Sequence, residues 1–345
     1  MSLRRALEQS WIRPSWLTLL LLPLSWLYQL VFSLRGRLYQ FGLCKSYKAS
    51  IPVIVVGNLT VGGTGKTPLT IHLVELLRKH GYSPGIISRG YGSLADEYPY
   101  HVTQDSPIES SGDEPALIVK RTGAPMMIGA NRKDAIESLL AIHPKVDVIL
   151  SDDGLQHLAL ERNIEICVID ATSPKQNQYL LPAGPYREPL ARLKTVDLVI
   201  KHGAKEDKNG EFAMNLQAQL PKLVSDLDRE VSVTDAADNH EHISQILDKS
   251  QKLQALAGIG NPQRFFTTCR DLGFVFDEHV FSDHHRFVEN DINFGESSVL
   301  MTEKDAVKCQ KFSSAKHWYL PVDAKLSTDF DHRLIVLLKE CKEKK

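Results

Sequence analysis

The sequence is poor in cysteine and carries almost no net charge. Its five cysteines, among 345 residues, are scattered and form no CxxC pair, so neither a zinc cluster nor a dithiol redox centre is indicated. Widely separated thiols, odd in number, favour a reducing, cytosolic compartment over a disulfide framework. The formal charge is −1, from 41 basic and 42 acidic residues. A nucleic-acid binder usually has a basic excess or stripe, so we expect no nucleic-acid partner.

Charged residues are missing from one stretch near the amino terminus, Pro14–Leu34, which is rich in leucine and tryptophan. The stretch is long enough to cross a bilayer, which takes about 20 apolar residues. However, Pro23 interrupts it, and small polar residues such as Thr18 and Ser25 recur at helical spacing. Basic residues flank both sides, whereas a spanning helix concentrates positive charge on one side. We therefore expect a monotopic helix within residues 1–48 that lies in the membrane interface.

Two other interpretations of this stretch stay open. A secretory signal peptide is disfavoured because the apolar run is long, no A-x-A cleavage site follows, and a nucleotide-binding motif comes directly after it. A buried core helix would have a similar composition, because a short apolar run is ambiguous on periodicity alone.

The strongest motif is the glycine-rich segment TVGGTGKT, between a predicted strand at Ile51–Val56 and a predicted helix from Pro68. Glycines let successive backbone N–H groups face phosphate oxygens, and the helix adds its positive end. The lysine would reach the β- and γ-phosphates and the last threonine would ligate Mg²⁺. A strict GxxxxGK[ST] motif begins with glycine where this chain has threonine, and the extra glycine pair compensates. The predicted nucleotide contacts are Thr60, Val61, Gly62, Gly63, Thr64, Gly65, Lys66 and Thr67.

The arrangement of strands and helices predicts two domains, as the chain length also does. Apolar strands alternate with helices after the glycine-rich segment, a pattern typical of a doubly wound parallel sheet. The sequence becomes polar over residues 205–241, and a second strand–helix alternation begins at Leu253. We predict an α/β fold: a P-loop NTPase-type kinase domain over residues 49–204, and a smaller α/β lid domain with a carboxyl-terminal helix over residues 205–345.

Acidic residues at two places are candidates for metal binding and catalysis. Asp152 and Asp153 follow a predicted strand at Val146–Leu150, where a Walker B carboxylate holds Mg²⁺ or its water. The following Asp-Gly step also favours a simple turn. Asp113 and Glu114 begin a predicted helix, so capping explains them locally. A kinase also needs a carboxylate that receives the proton of the acceptor hydroxyl, and this position suits that task.

Histidines and arginines supply the remaining candidates. The run Asp283–His285 is a weak metal motif, because adjacent residues rarely converge on one ion. A histidine beside a carboxylate could instead relay a proton, and the residues alone do not choose between His284 and His285. Arg132 and Arg187 follow loops of small residues and could stabilise the charge of a transferring phosphate, although surface arginines are common.

Eight short motifs along the chain form a recognisable set. In order, they are GNLTVGGTGKTP at Gly57–Pro68, SRGYG at Ser88–Gly92, GDEP at Gly112–Pro115, DDGLQH at Asp152–His157, PAGPYREP at Pro182–Pro189, GIGNP at Gly258–Pro262, DH at Asp283–His284 and TEKDA at Thr302–Ala306. Together they resemble the tetraacyldisaccharide 4′-kinase family of lipid A biosynthesis. The resemblance runs from the amino-terminal helix to about Asp323, and the ordered set is far more specific than any single motif.

The resemblance implies an activity and a role for each matching residue. It implies transfer of the γ-phosphate of ATP, with Mg²⁺, to the 4′-hydroxyl of a tetraacylated glucosamine disaccharide 1-phosphate at the cytoplasmic face of the bacterial inner membrane. Asp113 would act with His284, which the DH motif selects, and Lys66 joins them as catalytic. Mg²⁺ would be held by Thr67, Asp152 and Asp153. The nucleotide site would also include Glu114, Arg132, Gln156, His157, Arg187 and Glu188.

Two other classes of nucleotide-binding protein share part of this pattern. Membrane-associated ATPase switches of the MinD/ParA kind also use GGxGKT, but they carry a lysine where this chain has Val61, and their membrane helix is carboxyl-terminal. A scaffold that holds nucleotide without turnover would not need Lys66, Thr67 and the paired aspartates. No feature of the sequence predicts an oligomeric state.

Overall fold

Two β-sheets organise the protein, whose computed structural model describes residues 3–172, 177–227 and 251–343. The larger sheet has nine strands and the smaller has five. The strands of the larger sheet are β1 (Val53–Gly57), β2 (Pro84–Ser88), β3 (Tyr100–Val102), β4 (Met126–Ile128), β5 (Val148–Ser151), β6 (Ile164–Asp170), β7 (Leu198–His202), β8 (Glu211–Ala218) and β14 (Val322–Leu326). Those of the smaller sheet are β9 (Lys222–Leu223), β10 (Leu253–Ala257), β11 (Phe276–Val280), β12 (Val299–Thr302) and β13 (His317–Leu320).

Helices cover both sheets. The α-helices are α1 (Leu3–Ile12), α2 (Trp16–Gln40), α3 (Lys66–Lys79), α4 (Ile108–Ser111), α5 (Asp113–Thr122), α6 (Arg132–Ile142), α7 (Pro262–Asp271), α8 (Glu289–Ile292), α9 (Glu303–Cys309) and α10 (Thr328–Glu343). Short 3₁₀-helices occupy Leu190–Lys194, Val224–Asp226 and Gln310–Phe312.

The larger sheet has the order β14-β8-β7-β6-β1-β5-β2-β4-β3, with the two outermost strands antiparallel and the strands between them parallel. Strand β1 is central and reads VIVV because it is buried on both faces. Helices α3 and α10 pack on one face, and α6 packs on the other. The predicted doubly wound α/β fold is therefore confirmed, and all the loops after the parallel strands open at one edge.

The smaller sheet has the order β11-β10-β12-β13-β9 and is parallel except for β9. Helix α7 packs on one face through Phe266, and α9 packs on the other, where its Val307 shares a hydrophobic cluster with Ala116 and Leu117 of α5. The guanidinium of Arg121 on α5 contacts Glu303 of α9 and Asp323 of β14. Helix α5 therefore joins the two sheets.

The boundary predicted at residue 204 does not coincide with the boundary between the sheets. The polar segment that we expected to connect two domains contains strand β8, which extends the larger sheet beside β7. Strand β14 returns to that sheet as the antiparallel neighbour of β8. The carboxyl-terminal helix α10, assigned to the lid, packs on the larger sheet through Phe330 and Leu334. Residues 228–241 of the predicted connection lie outside the described residues.

Helix α2 has an inverted pattern of polarity, because small polar residues on it are buried and large apolar residues are exposed. The buried side of α2 carries Thr18 and Ser25, whereas Trp16, Leu20 and Trp26 are more than half exposed. By length and composition alone, α2 is the helix in the described part of the chain that could cross a membrane. Two of the small polar residues that recur at helical spacing in the sequence, Thr18 and Ser25, thus face the protein.

Replacement of Gly57 tests the packing at the end of β1. A β-carbon there would lie 2.8 Å from Leu155 Cγ in the core, so Gly57→Ala should lower the free energy of unfolding by about 1–3 kcal/mol. Gly36→Ala, in helix α2 with no neighbouring atom within 4 Å, should instead raise it by about 0.5–1 kcal/mol. Urea denaturation followed by circular dichroism measures both, and equal stability of the two variants would contradict the close packing.

Candidate active site

The glycine-rich loop joins β1 to α3 at the carboxyl edge of the larger sheet. Gly65 caps α3 with a φ of 91°, and Gly62 has a φ of 117°, both in the left-handed region that favours glycine. A side chain at Gly65 would also approach His202 Nδ1 to 3.0 Å. The loop thus brings the amino terminus of a helix to the edge where parallel α/β sheets bind phosphate.

Lys66 lies across this loop. Its ammonium group is 3.2 Å from Asn58 Oδ1 and 3.4 Å from Asp153 Oδ1. The Thr64 carbonyl lies 3.0 Å from His202 Nδ1, and the buried Thr64 hydroxyl has no hydrogen-bond partner among the described residues. The Val61 N–H donates a hydrogen bond to the Pro185 carbonyl at 2.9 Å. That amide is therefore engaged within the protein, which limits any nucleotide contact of Val61 to its other atoms.

Asp152 and Asp153 follow β5 next to Lys66, and their environments differ. Asp152 is buried, and burial, together with the negative charges of Glu114 and Asp153, raises its pKa to about 7. Burial also opposes ionisation of Asp153, but Lys66 and Arg187 outweigh it and lower its pKa. A further cation bound nearby would therefore favour the ionised form of Asp152.

The donor set at this edge fits Mg²⁺. The Asp152 carboxylate accepts a hydrogen bond from Thr70 at 3.3 Å, and Thr67 lies in the first turn of the same helix, α3. No group of three or more His, Cys, Asp or Glu with metal-binding geometry occurs in residues 3–172, 177–227 and 251–343. Mg²⁺ does not need such a group, because one or two carboxylates together with substrate phosphates suffice to hold it.

Asp113 and His284 come into contact from distant parts of the chain, since Asp113 begins helix α5 and His284 lies in the loop after β11 of the smaller sheet. Asp113 is at the first position of α5, where the helix dipole stabilises an anion, and its Oδ2 lies 3.0 Å from His284 Nδ1. Burial opposes ionisation of Asp113, but this hydrogen bond and Lys304 lower its pKa to about 2. The same hydrogen bond is the main cause that raises the pKa of His284. His284 also adopts a φ of 59°, a strained conformation of the kind found at functional sites.

The structure separates the two histidines that the residues alone left equivalent. His285 Nε2 lies 2.9 Å from Asp291 Oδ2, and its ring packs against Phe281 and Phe287. His285 is therefore part of the packing of the smaller sheet, and His284 is the histidine that reaches Asp113.

Lys304, at the start of α9, belongs to the TEKDA motif, and the sequence alone indicates no role for it. Its ammonium group lies 3.0 Å from Glu114 Oε1, 3.5 Å from Asp113 Oδ2 and 3.8 Å from Asp283 Oδ1. Burial works against its charge, but these carboxylates outweigh burial and raise its pKa. The available signal was the placement of a lysine at a helix start directly after a strand, which an isolated sequence does not distinguish from a surface lysine.

Arg187, Gln156 and Glu188 form a group beside the glycine-rich loop. The Arg187 guanidinium donates to Asp153 Oδ2 at 3.2 Å and to Gln156 Oε1 at 3.3 Å. Gln156 donates to the Asn58 carbonyl at 3.0 Å and to Glu188 Oε1 at 2.8 Å. Glu188 is buried, which raises its pKa. Only Arg187 in this group contacts the acidic pair, while Gln156 and Glu188 contact the protein behind the loop.

Arg132 is buried rather than at the surface. Its Nη1 donates to the Gly129 carbonyl, and its buried Nε has no partner among the described residues. Burial lowers its pKa to about 10, so it stays charged at neutral pH, and Asp152 opposes the shift. His157 is half-buried, and burial together with Arg132 lowers its pKa to about 4. It is therefore neutral at physiological pH.

A cavity of about 530 Å³ has Tyr91, a neighbour of the His284 ring, in its lining. It is lined by residues of the SRGYG motif and of the loop after β4, including Arg89, Tyr91 and Asn131. The Tyr91 ring lies 5.6 Å from the His284 ring, centroid to centroid. The sequence alone indicates no role for this motif, because its position beside His284 depends on the fold.

Three features define a P-loop kinase. They are the phosphate-binding loop after the central strand β1, the paired aspartates after the neighbouring strand β5, and the Asp113–His284 pair. A family model described as tetraacyldisaccharide-1-P 4′-kinase matches residues 17–339. The tetraacyldisaccharide 4′-kinases of Nitrosococcus oceani and Shewanella sediminis are 46% and 48% identical, over 94% and 93% of this chain and 92% and 91% of theirs.

A solved structure agrees with the sequence matches. The chain is similar to LpxK from Aquifex aeolicus, crystallised in complex with ATP, with a TM-score of 0.75 and 27% identity, over 93% of this chain and 99% of that one. The chain belongs to the tetraacyldisaccharide-1-P 4′-kinase family. The predicted family and the predicted enzyme class, an ATP-dependent kinase of lipid A biosynthesis, are confirmed.

The effect of the Lys304 charge should be measurable as a change in the pKa of His284. Lys304 lowers the pKa of His284, so Lys304→Met should raise that pKa further above its ordinary value, because a nearby positive charge that disfavours the imidazolium is removed. NMR titration of the His284 ring measures the shift. Lys304→Arg should leave the pKa near that of the wild type. Lys311→Met, which removes an exposed lysine paired with Glu109, is the matched control, and an unchanged His284 pKa in Lys304→Met would contradict the assignment.

Proposed function

We propose that His284, held by Asp113, removes the proton from the 4′-hydroxyl of the acylated disaccharide while Lys66 and Arg187 hold the γ-phosphate of ATP. The observation that carries this proposal is the 3.0 Å contact of His284 Nδ1 with Asp113 Oδ2, because it fixes a candidate base from the loop after β11 against a carboxylate at the start of α5. The chain's membership of a kinase family supports the same reaction.

The geometry of the pair suits a general base. With Nδ1 bound to Asp113, the other ring nitrogen of His284 is 3.8 Å from Asp283 Oδ2, outside hydrogen-bond range. Nε2 is then the atom that accepts the hydroxyl proton. Asp113, ionised throughout the physiological range, fixes the ring and stabilises the imidazolium that forms, as the carboxylate does in other acid–base triads.

Thr67, Asp152 and Asp153 would hold Mg²⁺, which supplies charge neutralisation between the β- and γ-phosphates. Lys66 and Arg187 both contact Asp153, so they bring positive charge to the same place. The buried Nε of Arg132 has no hydrogen-bond partner in the described part of the chain, which makes it a further candidate donor to a phosphate oxygen. The remaining nucleotide contacts inferred from the family resemblance stay predictions.

The cavity beside Tyr91 is the proposed location of the acceptor sugar. Its lining residue Tyr91 packs near the His284 ring, and the lining also includes Arg89 and Asn131, whose hydrogen-bonding groups suit a hydroxylated ligand.

The membrane is the proposed partner of α2. Trp16, Leu20, Leu24, Trp26 and Leu27 are each more than half exposed on this helix, and such a contiguous apolar surface marks an interaction site. The acyl chains of the substrate class would remain in a bilayer, so a lipid surface is the occupant that brings enzyme and substrate together. We assign it to the cytoplasmic face of the inner membrane, because ATP and reduced thiols such as Cys167 belong to that side.

Replacement of His284 tests the proposed base. His284→Ala should reduce transfer of label from [γ-³²P]ATP to the tetraacyldisaccharide 1-phosphate by about 10²–10⁴-fold, the usual contribution of a general base. The affinity for a non-hydrolysable ATP analogue should stay within about threefold of the wild type. His285→Ala is the matched control and should lower the thermal stability while retaining transfer. Equal loss of nucleotide affinity and transfer in His284→Ala, or release of free phosphate in place of a labelled glycolipid by the wild type, would overturn the proposal.

The exposed face of α2 can be tested separately. Leu20→Ser combined with Leu24→Ser should weaken co-sedimentation with phosphatidylethanolamine–phosphatidylglycerol vesicles by about tenfold or more, because each buried leucine contributes about 1.5–3 kcal/mol. Leu220→Ser, at a partly exposed leucine between β8 and β9, should leave co-sedimentation unchanged. A double variant that still binds vesicles as the wild type does would show that the membrane contact lies elsewhere.

A further inference from the structure

One segment lies between the amino-terminal helices and the phosphate-binding loop. We call Asn177–Arg187 the strap. It contains most of the PAGPYREP motif, to which the family resemblance attached roles only for Arg187 and the following glutamate. The strap contacts helices α1 and α2 on one side and the loop after β1 on the other.

The contacts with the helices are polar. The Trp11 indole donates to the Pro182 carbonyl at 3.0 Å, the Ser25 hydroxyl donates to the Leu180 carbonyl at 2.8 Å, and the Tyr28 hydroxyl donates to the Arg187 carbonyl at 3.0 Å. A helix that served only as an anchor would need its apolar face, not these bonds. The protein-facing side of α2 is therefore specialised for holding the strap.

The contacts with the phosphate-binding loop are backbone hydrogen bonds. The Arg187 N–H donates to the Leu59 carbonyl at 2.7 Å, and the Val61 N–H donates to the Pro185 carbonyl at 2.9 Å. Thr60 and Tyr186 also form an antiparallel bridge. The strap is thus paired with the chain that immediately precedes the glycine pair.

Arg187 is held at three points. Its N–H is bound to Leu59, its carbonyl to Tyr28 of α2, and its guanidinium to Asp153. Burial raises the pKa of Tyr28, so the phenol stays protonated and can donate. Without the Tyr28 hydroxyl, the carbonyl side of the Arg187 residue loses its fixed partner, while the N–H side is still bound to the loop.

We propose that Tyr28 is a positioning residue for Arg187, so that the seating of the membrane-facing helix on the strap orients the arginine toward the transferred phosphate. The inference rests on the proposed function only for the identity of that phosphate. The contact itself is between two residues of this chain, and it can be tested with or without the reaction.

The variant Tyr28→Phe removes the hydroxyl and preserves the ring, which stacks on Phe32 with centroids 6.4 Å apart. Loss of one hydrogen bond at a positioned group should lower kcat by about three- to tenfold, with the KM for the glycolipid and vesicle co-sedimentation unchanged. Tyr39→Phe is the matched control, because it makes the same change on the same helix at a hydroxyl with no hydrogen bond among the described residues.

A double-mutant cycle separates positioning from a general loss of structure. If Tyr28 acts through the Arg187 side chain, Tyr28→Phe should lower kcat by less than about twofold in an Arg187→Ala background, because coupled residues are not additive. An equal loss in both backgrounds, or a Tyr28→Phe variant that behaves like Tyr39→Phe, would overturn the inference. Ser25→Ala, which releases a second bond to the strap, provides another variant should Tyr28→Phe fail to fold.

The NMR signal of the Arg187 Nε–H group gives a readout that does not depend on the reaction. It should shift and broaden in Tyr28→Phe and stay in place in Tyr39→Phe. If the wild type transferred no label to the glycolipid, the proposed function would fail while this signal could still support the positioning role. If transfer were normal and the signal unmoved by Tyr28→Phe, the positioning role would fail alone.

Discussion

The site depends on one electrostatic constraint: carboxylates crowded at the meeting of two sheets must be balanced by cations on both sides. Asp152 is buried beside like charges and has a raised pKa, whereas Asp153 and Asp113 are kept ionised by Lys66 and by Lys304 with His284. Lys66 begins α3, which packs on the larger sheet, whereas Lys304 lies in α9, which packs on the smaller sheet. The approach of the two sheets is therefore tied to charge balance as well as to apolar packing around α5.

Much of this arrangement follows from the sequence because its signals are local. A buried strand, a glycine-rich turn and a helix in direct succession are sufficient to predict β1, the loop and α3. The paired aspartates after β5 follow from the rule that parallel strands share a carboxyl edge. The choice of His284 over His285 came from the family resemblance, and the structure supplies its physical reason, since His285 contacts Asp291 and packs against Phe281 and Phe287.

The elements that the sequence missed are those set by distant contacts. Strand β8 lies in a polar segment, and it extends the larger sheet because β14, more than a hundred residues later, pairs with it. Lys304 looks like a surface lysine until α9 packs against α5. The strap has no regular periodicity, and its role depends on hydrogen bonds with residues such as Trp11 and Ser25 that are over 150 positions away. No local pattern encodes such pairs.

The inverted polarity of α2 has a consequence for biogenesis. During translation the helix leaves the ribosome well before its partners, since Leu180 follows Ser25 by 155 residues. At a synthesis rate of about 5–20 residues per second, that interval is on the order of 10–30 seconds. The leucine- and tryptophan-rich side is exposed both during and after that interval, because the fold covers only the side that carries Thr18 and Ser25. Under the proposed membrane contact, this surface can therefore attach to the bilayer before the catalytic domain has folded.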